Sequence, residues 1–125
     1  MNFSSDNVTG ACPEILSAVI ASNDGPAMPY GADSGTGRVE TKIAATFETQ
    51  ADVFLVATGT ASNALALAVM CPPYGSIYCH PEAHIQVDEC GAPEFYSGGA
   101  KLVLLPDRDG KITADDLAAT LKNEH

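Results

Sequence analysis

Two stretches of this chain carry residue types whose spacing suits them to chemistry. The first is Thr58-Gly59-Thr60, which follows the apolar run Val53-Phe54-Leu55-Val56-Ala57 and opens a helical segment, Ala61 to Met70. A strand that runs through a small turn into a helix aims unpaired backbone N–H groups and a dipole's positive end at one point, a seat for a phosphate. Small residues after a strand also serve simply to turn the chain. The turn lacks the Gly-Lys-Ser/Thr ending of a P-loop and the spaced glycines of a dinucleotide fingerprint, which argues against a nucleoside triphosphate or NAD. The second stretch centres on His84, which follows the strand-like run Ser76 to Cys79 and has Glu82, Asp88 and Glu89 nearby. An imidazole there can act as a base, stack on an aromatic cofactor, or make a single hydrogen bond at a helix start. Cys79, His80, His84 and Cys90 are zinc-ligand types, but their spacing fits no standard pattern and no metal is expected. From the residues alone Tyr30 reads as a packed aromatic and Ser5-Asp6 as a cap or turn.

The elements that must position these residues alternate between helical and strand-like patterns, which points to α/β architecture. Pro13 fits the first turn of a helix through about Asn23, with Ile15, Val19 and Ile20 on one face. A second helix is expected from about Thr36 to Thr49, with Val39, Ile43 and Phe47 repeating every fourth residue and Glu40 and Glu48 in water. Strands are expected at Val53 to Ala57, Ser76 to Cys79 and Lys101 to Leu105, in a mainly parallel sheet. The helix from Ala61 to Met70 is polar only at Ser62 and Asn63, so it belongs inside a core or a subunit interface. A short helix should span about Ile85 to Cys90, followed by a Gly/Pro-containing stretch. A last one starts at Thr113, with Asp116 three residues on, and buries Leu117 and Leu121. In such a sheet, ligands bind outside the C-terminal ends of the strands, where both chemical stretches fall.

Composition narrows the partners. The chain has 125 residues, 46% of them hydrophobic, enough for one domain with one core. Six basic against sixteen acidic residues give a net charge of −10, which repels phosphodiester backbones and anionic lipid, so neither nucleic acid nor membrane is an expected partner. Four cysteines without a CxxC pair suit a reducing, cytoplasmic setting, and the start has neither the basic nor the apolar region of a secretion signal. Asn7-Val8-Thr9 therefore reads as a chance match to a glycosylation acceptor.

Taken together, Ser4-Ser5-Asp6-Asn7-Val8-Thr9, Tyr30-Gly31-Ala32-Asp33, Val53 through Asn63, and Glu82-Ala83-His84 through Asp88-Glu89-Cys90-Gly91 resemble the N-terminal part of the low-specificity threonine aldolases. These are pyridoxal-phosphate (PLP) enzymes of the aspartate-aminotransferase fold, fold type I. The resemblance covers nearly all of the chain. It implies an N-terminal helical arm and loop over residues 1–50 and the first part of the PLP-binding α/β domain over 51–125. It also implies that Gly59 and Thr60 hold the cofactor phosphate, and that His84 lies against the pyridine ring near the substrate's β-hydroxyl. Ser5 would help hold the substrate carboxylate, Tyr30 would reach a site in a neighbouring subunit of a homo-oligomer, and Glu89 would support the histidine. The implied reaction cleaves L-threonine or a related β-hydroxy-α-amino acid to glycine and an aldehyde, while the cofactor ring stores the carbanion electrons. Another β-eliminating lyase of the same fold type, or a non-catalytic remnant of the fold, is the alternative.

The family's Schiff-base lysine, the aspartate for the pyridine nitrogen and the arginines for the substrate carboxylate fall beyond the last residue of this sequence. Lys42, Lys101, Lys111 and Lys122 read as solvated surface charges rather than substitutes. The expectation is therefore a truncated or split gene product whose architecture is incomplete. The apolar run at Val53 to Ala57 would lack its usual sheet neighbours.

Overall fold

The structure, a computed structural model, describes Ser4 and residues 8–123. The chain divides into two compact units, Met1–Val53 and Phe54–His125. Among its described residues the first unit holds two α-helices. Helix α1 (Pro13–Ser22) begins with proline at its first position, where the missing N–H costs nothing. Helix α2 (Ser34–Phe47) is capped by Asp33, whose carboxylate accepts from the Thr36 N–H at 2.9 Å and from the Thr36 hydroxyl at 2.7 Å. Those two bonds hold the Asp33 carboxyl below its ordinary range. No described residue of this unit is buried, and the Ile15, Val19 and Ile20 face of α1 is open.

The second unit carries the core. Its elements are α3 (Gly59–Met70), β1 (Ser76–Cys79), α4 (His84–Val87), α5 (Ala92–Tyr96), β2 (Lys101–Leu104) and α6 (Ala114–Asn123). Strands β1 and β2 pair in parallel, Ser76 with Lys101 through Cys79 with Leu104. The ladder is extended at its ends by the Lys101 N–H donating to Gly75 O and the Leu105 N–H to Cys79 O. Parallel neighbours need a crossover, and α4 and α5 supply it. Among the described residues the buried apolar ones are Ala64, Ile77, Cys79, Ala100 and Leu105, together with Pro93. Helix α3 packs on α5, and its one buried residue is Ala64, small enough to let the two helices approach closely.

Several expectations change. Residues Val53 to Ala57 form no strand, and the described sheet has two strands rather than three. A strand exists by pairing, and no described segment offers this run a ladder. Helix α3 is not buried all round either: Leu65, Val69 and Met70 stand 48%, 87% and 72% exposed, because only its α5 side is covered. The stretch after Cys90 is a short helix, α5, with proline in its first turn. Helix α4 begins at His84 and stops at Val87. Leu117 is only half-buried on α6 and Leu121 stays half exposed.

Candidate functional site

The start of α3 presents backbone donors to open space. Thr58, in extended conformation at the N-cap, accepts the Ala61 N–H on its hydroxyl at 3.1 Å and the Ser62 N–H on its carbonyl at 3.2 Å. That leaves the N–H groups of Gly59 and Thr60, the first two helical residues, without an acceptor among the described residues. A Cβ placed on Gly59 would meet nothing within 4 Å, so the approach to those N–H groups is open. Two free N–H groups, the Thr60 hydroxyl and the dipole of a 12-residue helix suit a phosphate monoester.

One turn into the same helix, Asn63 leaves the helix axis and reaches Glu89. Its Nδ2 donates to Glu89 Oε1 at 2.7 Å, and His84 Nδ1 lies 2.7 Å from the same oxygen. A carboxylate oxygen accepts and does not donate, so the proton of this second bond belongs to His84 Nδ1. The neutral ring then has a bare Nε2 with a lone pair. The Glu89 side chain is fully buried while that of His84 is 63% exposed, so the carboxylate is a fixed anchor and the imidazole its outward-facing reporter. Cys90 and Gly91 follow with φ of 52° and 76°, two left-handed residues in succession that swing the chain from Glu89 into α5. Asn63 is about 4.5 Å of helix rise beyond Thr60, so α3 carries both the open N–H groups and the donor that reaches the carboxylate bonded to His84.

The other sequence candidates are placed differently. His80, at the end of β1, accepts the Glu82 N–H on Nδ1 at 3.0 Å, so its proton is on Nε2, donated to Asp107 Oδ1 at 3.0 Å. Asp107 also accepts the Gly110 N–H at 2.7 Å, and the His80 bond followed by this one keeps its carboxyl low. His80 and His84 thus carry opposite tautomers and point to different carboxylates. Burial, then the nearby Glu94 carboxylate, push the Cys79 thiol up, which disfavours the thiolate that a metal would need. Among the described residues no group of three or more His, Cys, Asp or Glu side chains could hold a metal ion. Tyr30 is fully exposed with φ of 60° in the first unit. Ser5 lies outside the described residues. Asn63 and Asp107 had no assigned role in the sequence. For Asn63 the signal was there, a lone carboxamide in an Ala/Leu helix; Asp107 is indistinguishable from any turn aspartate.

With this geometry in view, the comparisons with known proteins converge. A family model described as beta-eliminating lyase matches residues 2–125. The chain belongs to the beta-eliminating lyase family. It is 46% identical over 111 residues to the low specificity L-threonine aldolase of Pseudomonas aeruginosa, and 44% identical over 111 residues to that of another Pseudomonas strain. Each alignment covers 89% of this chain and 32% of the relative. A solved structure of threonine aldolase from Leishmania major superposes with a TM-score of 0.84 at 28% identity, over 94% of this chain and 34% of that one. The chain therefore spans about a third of the length of the relatives it matches. The fold is that of the threonine aldolases, an α/β arrangement of PLP fold type I with a small parallel sheet. No helix among the described residues is long and apolar enough to cross a membrane.

Proposed function

We propose that this beta-eliminating lyase chain supplies the cofactor-phosphate seat and the histidine side of a PLP-dependent site. That site cleaves L-threonine or related β-hydroxy-α-amino acids to glycine and an aldehyde. The observation that carries the reading is the joining of two features on α3: an open helix start at Gly59 and Thr60, and a hydrogen-bonded link from Asn63 through Glu89 to His84. PLP, when bound, supplies a ring able to store the electrons left by Cα–Cβ cleavage. Gly59 and Thr60 would hold its phosphate through their N–H groups and the Thr60 hydroxyl. His84, with a protonated Nδ1 tied to Glu89, offers a bare Nε2 that can take the β-hydroxyl proton directly or through water, or can serve by stacking on the ring. Ser5 is assigned to the substrate carboxylate and Tyr30 to the site of a neighbouring copy, in a homo-oligomer. The division into an arm over residues 1–50 and a cofactor domain over 51–125 belongs to the same reading. So does a cytoplasmic setting, which the free thiols of Cys12, Cys71, Cys79 and Cys90 favour.

Two measurements test this. In a fluorescence titration PLP should bind non-covalently, inorganic phosphate should compete, and pyridoxal lacking the phosphate should not bind. Thr60→Ala should weaken binding about tenfold, the loss expected for one hydrogen bond to a charged group. Supplying the lysine-bearing remainder of the Pseudomonas aeruginosa relative with PLP and L-threonine should yield glycine and acetaldehyde in equal amounts. Pyruvate and ammonia from serine-like substrates would place the chain with a different eliminating lyase, and failure to bind PLP would overturn the assignment.

A further inference from the structure

We propose that Asn63 is a positioning residue that fixes the tautomer of His84 through Glu89, so that the helix forming the phosphate seat also decides which imidazole nitrogen is left free to act. The inference rests on the reading of His84 as the residue facing the substrate, but its physical content concerns only this chain's own side chains.

Three observations carry it. Glu89 Oε1 takes two short bonds at once, from Asn63 Nδ2 and from His84 Nδ1, each 2.7 Å. The other oxygen, Oε2, is buried and has no hydrogen-bond partner, so no described group anchors that end of the carboxylate. The side chain is fully buried, away from bulk solvent. The Glu89 head group is therefore oriented by its Oε1 donors alone. His84 is mostly exposed, which leaves Asn63, on the 12-residue helix α3, as the donor that holds the carboxylate in place. With the carboxylate held, the Nδ1–H form of His84 gains a charge-assisted bond that the Nε2–H form cannot make without turning the ring. Remove the Asn63 donor and Glu89 is free to rotate its unsatisfied oxygen toward His84 or away, and the preference weakens.

His80 provides a control in the same molecule. Its Nδ1 accepts from the Glu82 backbone and its Nε2–H donates to Asp107, so it carries the opposite tautomer with no link to Asn63. The experiment is long-range proton–nitrogen correlation NMR on the full chain labelled with ¹⁵N-histidine and free of cofactor, so that its outcome does not depend on PLP binding. In the unaltered chain His84 should show the Nδ1–H pattern and His80 the Nε2–H pattern. In Asn63→Leu, which keeps the branched shape and removes the donor, the ratio of Nδ1–H to Nε2–H at His84 should fall on the order of tenfold while His80 does not change. Asn63→Ala, which cannot overpack the helix, should give the same result. A His84 ratio that survives both substitutions, or a parallel collapse at His84 and His80 reporting a merely structural role, would overturn the inference. If the tautomer shifts as expected while PLP fails to bind the unaltered chain, the positioning role stands and the proposed function fails.

Discussion

At the residue scale the site turns on the economy of one carboxylate. Glu89 is the acceptor for two donors that have no other described partner for those atoms, so removing it leaves both unmatched in a part-buried setting. Glu89→Leu should destabilise the chain by about 1–3 kcal/mol in urea unfolding, while Glu89→Gln, which keeps an acceptor oxygen, should lose less. Gly91, just beyond, is at φ 76° and caps α5. A Cβ there costs roughly 1–2 kcal/mol from backbone strain, so Gly91→Ala should lower the urea midpoint although the position is exposed. These roles were only partly legible in the sequence. His84 and Glu89 stood out as an imidazole near carboxylates, but the sharing of one oxygen with Asn63, 26 residues away, is a product of packing between α3 and the segment around α5. No local pattern encodes it.

At the scale of elements, helix α6 shows how a short sequence signal becomes a complete device. Thr113 accepts the Asp116 N–H at 3.1 Å and donates its hydroxyl to Asp116 Oδ2 at 2.7 Å, a reciprocal cap, and Arg108 forks onto both Asp116 oxygens at 3.1 and 3.0 Å. Thr113→Ala should cost about 1 kcal/mol by chemical denaturation. The Arg108 fork, then the Thr113 hydroxyl, lower the Asp116 carboxyl from 3.8 to about 2. A carboxyl held low in the folded chain stabilises it fully above the unfolded value and loses that contribution as pH falls from 3.8 toward about 2. Thermal melts should show that loss in the unaltered chain and a flatter acid limb in Asp116→Asn. The Thr-x-x-Asp spacing made this cap readable in advance, whereas Arg108, in a turn, gave no sign of its partner. The periodic helices α1 and α2 and the strands β1 and β2 were readable for the same reason: each is specified by its own residues and a nearby neighbour. Val53 to Ala57 reads equally well as a strand, yet a strand's existence depends on an edge elsewhere, and none of the described residues supplies it.

At the scale of the whole molecule, apolar surface and net charge oppose each other. Phe54, Leu55, Val69 and Met70 are 85%, 65%, 87% and 72% exposed, and Phe54, Val69 and Met70 line one shallow groove of the second unit. Such a patch favours self-association, while a charge of −10 resists it. Salt shortens the reach of that repulsion to roughly 10 Å at about 0.1 M, so sedimentation should show the average mass rising with ionic strength. Val69→Glu should suppress the rise, and an unchanged profile would mean that this face does not drive association. The clasp between His80 and Asp107 has a consequence of another kind, in the order of assembly. It joins residues 27 apart, across the ends of a two-stranded parallel ladder, so among the described residues neither strand has a partner until the intervening chain has closed on itself. Closing a loop of that size costs about 3 kcal/mol beyond a constant, before any of the ladder's bonds repay it. During synthesis at about 5–20 residues per second, β1 would wait roughly one to five seconds for β2, and through that interval the helices between them must keep an unpaired apolar strand from finding the wrong neighbour.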